Sequence, residues 1–145
     1  MAVTANMYGK FYETALKAGI ANLSAEGTAI KVMLTTSDYT PNQNTHSLLA
    51  HVTNEVEGAG YTAGGKELTA ASKTVAYSTL VTTFDAPDVV WTASTITARR
   101  AVFYDATTAG NPLICWIDFG KDEVSSAGTF TIALHANGIF TITVA

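Results

Sequence analysis

The run Gly128-Thr129-Phe130-Thr131-Ile132-Ala133-Leu134-His135-Ala136-Asn137-Gly138-Ile139-Phe140-Thr141-Ile142-Thr143-Val144 changes side with every residue. Phe130, Ile132 and Leu134 alternate with Thr131, Ala133 and His135, and Phe140, Ile142 and Val144 alternate with Thr141 and Thr143. A period of two is that of an extended strand with one covered and one wet face. Asn137-Gly138 accepts the positive φ of a tight turn, so residues 128–134 and 139–144 are expected to form a hairpin.

The same theme extends towards the N-terminus. Short runs rich in Thr and β-branched residues, separated by Gly, Pro, Asn and Asp, predict strands near residues 67–77, 80–84, 96–104 and 113–119. From residue 28 onward, Ile30, Val32 and Leu34 face one way and Lys31 and Met33 the other, which predicts a further strand. Residues 35–45 carry Asp38, Pro41, Asn42 and Asn44 and read as irregular. A short helical turn is expected around residues 47–52. Only the first segment departs from strand period: Tyr8, Phe11, Tyr12, Ala15, Leu16, Ile20 and Leu23 recur at spacings of three and four. This predicts a helix over residues 8–23, weakened by Gly19 and followed by a turn at 24–27, which either packs on its own domain or reaches a neighbour. The expected fold is a mostly β single domain over residues 1–145, a β-sandwich or jelly roll (28–145) with a short N-terminal helical segment (1–27).

Hydrophobic residues make up 48% of the chain and charged residues 14%, where an ordinary soluble domain carries about a quarter charged. Much of the surface must then be Thr, Ser, Ala and Asn, a composition that protects poorly against association and suits a subunit resting on neighbours. The net charge of −4 and dispersed basic residues, with Arg99-Arg100 the one adjacent pair, argue against nucleic acid as a partner. Cys115 stands alone, so an intrachain disulfide is impossible and a buried hydrophobe is the expected role. The first residues lack the pattern of a secretory signal, and no window is apolar enough for a membrane-spanning helix. Synthesis and folding in a reducing cytoplasm are expected, with no membrane partner.

Gly60-Tyr61-Thr62-Ala63-Gly64-Gly65-Lys66 satisfies part of the G-x-x-x-x-G-K phosphate-loop pattern. Glu67 stands where that loop needs a metal-binding hydroxyl, the preceding residues are polar, and no helical stripe follows. An irregular loop whose glycines take positive φ is expected instead. His46 and His51 are five apart, a spacing that shares neither a helix side nor a strand side, and His135 sits beside a turn. Asp85 and Asp88 flank Ala86-Pro87 as turn residues. The residues suggest no catalytic, cofactor-binding or metal-ligating set, and the chain is expected not to be an enzyme. Residues 113–119 are apolar on both faces: the strand is either covered on both sides or presents Ile114 and Trp116 to a partner. Trp91 carries a similar ambiguity. Tyr8, Phe11, Tyr12, Ile114 and Trp116 are the candidate interface residues.

A succession of segments carries a family likeness: Ala29-Ile30-Lys31-Val32-Met33-Leu34, Tyr39-Thr40-Pro41-Asn42 and Thr45-His46, then Asn54-Glu55-Val56-Glu57-Gly58-Ala59-Gly60-Tyr61-Thr62-Ala63-Gly64-Gly65. Phe84-Asp85-Ala86, Val89-Val90-Trp91, Ser94-Thr95-Ile96-Thr97-Ala98-Arg99, Ile117-Asp118-Phe119-Gly120 and Gly128-Thr129-Phe130-Thr131-Ile132 follow in order. Together they resemble a family of small structural proteins of tailed bacteriophages, of the head-decoration or cement type. The resemblance implies a virion component made in the host cytoplasm, with the major capsid protein and copies of itself as partners, and it implies no catalytic residue. A neck, tail or fibre component is the alternative within that class. A carbohydrate-binding module, stacking exposed Trp and Tyr on sugars, is the alternative outside it.

Overall fold

A computed structural model describes residues 5–18, 23, 29–69 and 73–144, with backbone alone for 14–18. Two antiparallel sheets account for most of it, so the chain is mostly β and sandwich-like, with a short helix near the start. The elements in order are β1 (Ala5–Met7), α1 (Gly9–Ala18), β2 (Ile30–Thr35), a 3-10 turn (Leu49–His51), β3 (Lys66–Glu67), β4 (Thr74–Ser78), β5 (Val81–Asp85), β6 (Val89–Asp105), β7 (Leu113–Ile132) and β8 (Phe140–Thr143). The larger sheet runs β1-β7-β6-β2-β3 and the smaller β4-β5-β8.

The long β6–β7 hairpin is the spine, with strands of 17 and 20 residues. Asp105 closes its turn: Oδ1 accepts from the Thr107 and Thr108 amides and Oδ2 from the Thr108 hydroxyl, which stabilises the reversal. The end of the hairpin nearest that turn is buried on both faces. Paired residues share a face, so Val32, Phe103 and Cys115 form one row and Met33, Val102 and Trp116 the opposite one. At the far end, Val89, Trp91, Ile96, Phe130 and Ile132 are buried while Thr92, Thr97, Thr129 and Thr131 are exposed, the alternation of a sheet covered on one side.

Helix α1 links the sheets. Tyr8, just before it, lies against Trp116 of β7 with ring centroids 4.7 Å apart, and Phe11 meets Phe140 of β8 at 6.1 Å. Phe140 in turn contacts Phe84 of β5, so one aromatic cluster joins helix and small sheet. The expected helix is found over residues 9–18; its predicted continuation through Ile20, the turn at 24–27, and the side chains of Ala15 and Leu16 lie outside the described residues.

Three expectations need correction. Residues 67–77 are not one strand: Lys66–Glu67 belong to the large sheet and Thr74–Ser78 to the small one, while 70–72 lie outside the described residues. The segments expected as separate strands at 113–119 and 128–134 are mostly one strand, Leu113–Ile132. The Asn-Gly hairpin does not form. A turn exists, closed by the Gly138 amide donating to His135 carbonyl, but β8 leaves β7 and pairs with β5, matching Phe140 to Phe84. The alternating pattern names a covered face and says nothing about which neighbour covers it.

Candidate functional site

The glycine loop is shaped as expected and filled from within. Gly60, Gly64 and Gly65 all have positive φ. A Cβ at Gly65 would stand 1.9 Å from the Val32 carbonyl oxygen, so the loop approaches β2 more closely than any side chain permits. The loop's Gly64 amide is taken up by the carboxylate of Glu55. Its Oε1 accepts from the Gly64 amide at 2.6 Å and from the Tyr61 hydroxyl at 2.8 Å. The Tyr61 hydroxyl oxygen also accepts from the Leu34 amide, and Tyr104 donates to the Gly64 carbonyl. Burial, joined by the neighbouring Glu55 carboxylate, pushes the Tyr61 phenol well above its ordinary range. Lys66 opens β3 where a phosphate loop would open a helix, and its ammonium donates to the Val90 carbonyl.

The two histidines that spacing set apart are brought together. Turns at 43–45 and the 3-10 turn at 49–51 fold the segment back, and the rings of His46 and His51 stack 5.6 Å apart at 5°. His46 Nδ1 accepts from the Asn42 amide, and His51 Nδ1 from the amides of Ser47 and Leu48. Backbone N–H groups only donate, so each neutral ring carries its proton on Nε2. The Tyr39 hydroxyl therefore donates to His46 Nδ1 at 3.0 Å, and the buried Tyr8 hydroxyl donates to Tyr39 at 2.9 Å. Burial first, and then the neighbouring His51, hold His46 below its ordinary pKa. This chain of bonds, with Gln43 Nε2 on the Met7 carbonyl and the Gly9 amide on the Gln43 carbonyl, ties the loop to the base of α1. Among the described residues no group of three or more His, Cys, Asp or Glu side chains is placed to hold a metal ion.

Arg99 and Arg100 are engaged inside the fold. A register shift between Ala98 and Arg100 breaks strict alternation, so both guanidinium groups reach Asp118, at 2.6 Å and 3.2 Å. Burial alone would raise the Asp118 carboxyl. The hydrogen bonds from Arg99 and the Gly120 amide, with both guanidinium charges, outweigh it and hold the carboxyl below the ordinary carboxylate value. Cys115 is fully buried, and burial pushes its thiol far up, which leaves it unreactive.

The five candidate interface residues are divided by the structure. Tyr8, Phe11 and Ile114 are buried in the chain's own core, and Trp116 is partly buried beneath Tyr8. Tyr12, at 42% exposure, alone among them faces solvent broadly. Residues 113–119 are thus covered on both faces within the chain. Trp91 is 4% exposed, between Tyr61 and Phe130, so it offers no sugar-stacking platform.

Exposed apolar surface appears instead on the small sheet. All five residues of β4 are exposed, Tyr77 to 67% and Val75 to 43%. Register places Val75 and Tyr77 on the same face as Phe84, Phe140 and Ile142. At one end of that face Phe84 and Phe140 pack against the body; at the other Tyr77, Leu80, Ile142 and Val144 are open to solvent. The β4–β5 turn, Thr79-Leu80, has positive φ at both residues, the conformation of a tight hairpin whose twist matches its strands. The sequence carried a signal for this surface: Val75 and Tyr77 alternate with Thr74, Ala76 and Ser78, but reading residues 67–77 as one strand concealed that the segment is an edge. No family model, curated protein or solved structure matches this chain.

Proposed function

We propose that this chain is a structural subunit built into a tailed-phage particle, acting as a decoration or cement protein on the outer surface of the capsid lattice. The observation that carries the reading is the small sheet, where Val75, Tyr77, Leu80, Ile142 and Val144 stand exposed. Large apolar side chains grouped on one surface mark contact with other macromolecules. The low charge fraction and the ordered likeness of segments from residue 29 to residue 132 to phage structural proteins favour the same reading. The groups that looked most like chemistry are occupied internally: the glycine loop by Glu55, the arginine pair by Asp118, and the histidine Nδ1 atoms by backbone amides.

A cement protein adds contacts that exist only in the assembled shell, so it stabilises that shell by mass action. Particles lacking the chain should assemble and release DNA at lower temperature than complete ones, as read by dye access to packaged DNA during heating. A neck or tail component would instead leave the release curve unchanged and block joining or infection. Superimposable curves, with occupancy verified in the complete particles, refute the decoration role.

A further inference from the structure

We propose that the outer edge of β4 pairs with β4 of a second copy of this chain, antiparallel and about a two-fold axis through Ala76. The inference deepens the assembly reading above and rests on it for its biological setting, while its physical content concerns the chain alone. Among the described residues β4 is an edge strand, bonded to β5 on one side only. Natural edge strands are normally guarded by lysines, prolines, bulges or a covering element. Thr74-Val75-Ala76-Tyr77-Ser78 has no charge and no proline, pairs with β5 without a register shift, and is exposed on both faces, so a second strand can approach it.

The backbone alternation selects the register. Ser78 and Val81 close a two-residue hairpin and form a hydrogen-bonded pair. Bonded and non-bonded pairs alternate along the ladder, so Thr74, Ala76 and Ser78 point their amides and carbonyls at β5. Those of Val75 and Tyr77 then point outward. A two-fold axis through Ala76 sets Val75 opposite Tyr77 of the second copy, where the two exchange both backbone bonds, and the symmetric pair does the same.

Side chains agree with that register. Val75 beside Tyr77 of the other copy is a β-branched and aromatic cross-strand pair on the apolar face, the kind that stabilises sheets. Thr74 beside Ser78 pairs two hydroxyls on the opposite face. Ala76 meets itself, and its small side chain lets the strands close without a clash. The same patch thus serves both partners, as an isologous dimer requires. The two three-stranded sheets would become one continuous sheet, and Tyr77 of each copy would lose much of its exposure.

Because position 76 faces its own copy, charge placed there is a specific probe. Sedimentation velocity of the purified full chain should show a reversible dimer. Ala76→Lys and Ala76→Glu, both on an exposed position, should each weaken dimerisation about tenfold or more by like-charge apposition, and an equimolar mixture of the two should recover a heterodimer. If either variant folds poorly by circular dichroism, Ala76→Cys supplies the second measurement, since mild oxidation should link the copies through that position while the buried Cys115 stays inert. A wild-type chain that stays monomeric at millimolar concentration overturns the pairing. So does a dimer that the charged variants leave intact, a mixture that fails to associate, or a cysteine variant that does not crosslink. A monomeric chain that still protects capsids from heat would sink the pairing and spare the decoration role; a dimer without effect on capsids would do the reverse.

Discussion

At the residue scale, the structure separates polar groups that are satisfied from one that is not. Ser94 and Ser125 hydroxyls meet at 2.9 Å across β6 and β7, and Asp105 is fully used in its turn. Thr35 is completely buried at the end of β2, and its Oγ1 has no hydrogen-bond partner among the described residues. A buried unpaired hydroxyl forfeits its hydration without return, and valine has the same shape with a methyl in its place. Thr35→Val should therefore stabilise the protein by about 1 kcal/mol, seen as a higher urea midpoint with unchanged slope. A midpoint that moves down would show that this hydroxyl has a partner in solution. Thr35 reads in the sequence as a polar residue opening a loop; only the tertiary pairing with Arg100 and the bridge to Glu55 enclose it.

At the scale of elements, the segment from Tyr39 to His51 holds its shape with His46 Nδ1 as an acceptor, which a protonated ring cannot be. His46 has a folded pKa below its ordinary value near 6.5. Between those two values the unfolded chain binds more protons than the folded one, so stability falls as pH is lowered through that interval and levels off beneath the folded value. Denaturant midpoints measured from about pH 7.5 down to about pH 5 should show this loss, and His46→Asn should flatten it. Asn offers an acceptor near the place of Nδ1 and does not titrate. An unchanged pH profile in the variant would assign the loss to another group. Asp118 acts in a separate window: its folded pKa lies below 3.8, so the stability it contributes is present above that value and is lost as pH falls through the folded pKa. The stacked pair was invisible to spacing because spacing rules assume one regular element, and residues 43–51 combine a turn at 43–45, irregular backbone, a bridge at Leu48 and a 3-10 turn.

At the scale of the whole molecule, the two sheets differ in how they are held. The β6–β7 spine is flanked by β1 and β2 and buried on both faces near its turn. The small sheet is anchored through Phe84, Ile139 and Phe140, while β4 and most of β8 are exposed. Elements with few buried contacts open at lower free energy than the core. Hydrogen exchange of the dilute chain should therefore protect β6 and β7 amides near the hairpin turn more than those of β4, β5 and β8. Phe84→Ala removes the 1%-exposed ring at the anchor and should cost about 3–5 kcal/mol in the stability of the small sheet. Uniform exchange across both sheets would mean that they open as one unit. Dimerisation through β4 would raise protection of Val75 and Tyr77 amides with concentration, which links this measurement to the proposed pairing.

The amino-acid order alone determined the β class, the helix beginning near Tyr8, a turn at Asn137-Gly138, and the positive-φ glycines of residues 60–65. These follow from local rules: side-chain period, turn chemistry, and the steric freedom of glycine. Only the tertiary structure decided sheet membership. Alternation in residues 139–144 specifies which side is covered, and both β5 and β7 could have covered it; the packing of Phe140 on Phe84 and Phe11 selected β5. The polar residues Gly120-Lys121-Asp122, between the two expected strands, lie in a register shift of the hairpin, after Asp118 paired with Arg100 and before Glu123 paired with Ala98, so the interruption survives as a bulge within β7 and does not end the strand. Candidate interface residues were legible as large and apolar. Whether each was core or surface was not, since Tyr8 and Tyr77 are the same residue type, and only the packing of distant strands buries one and leaves the other exposed.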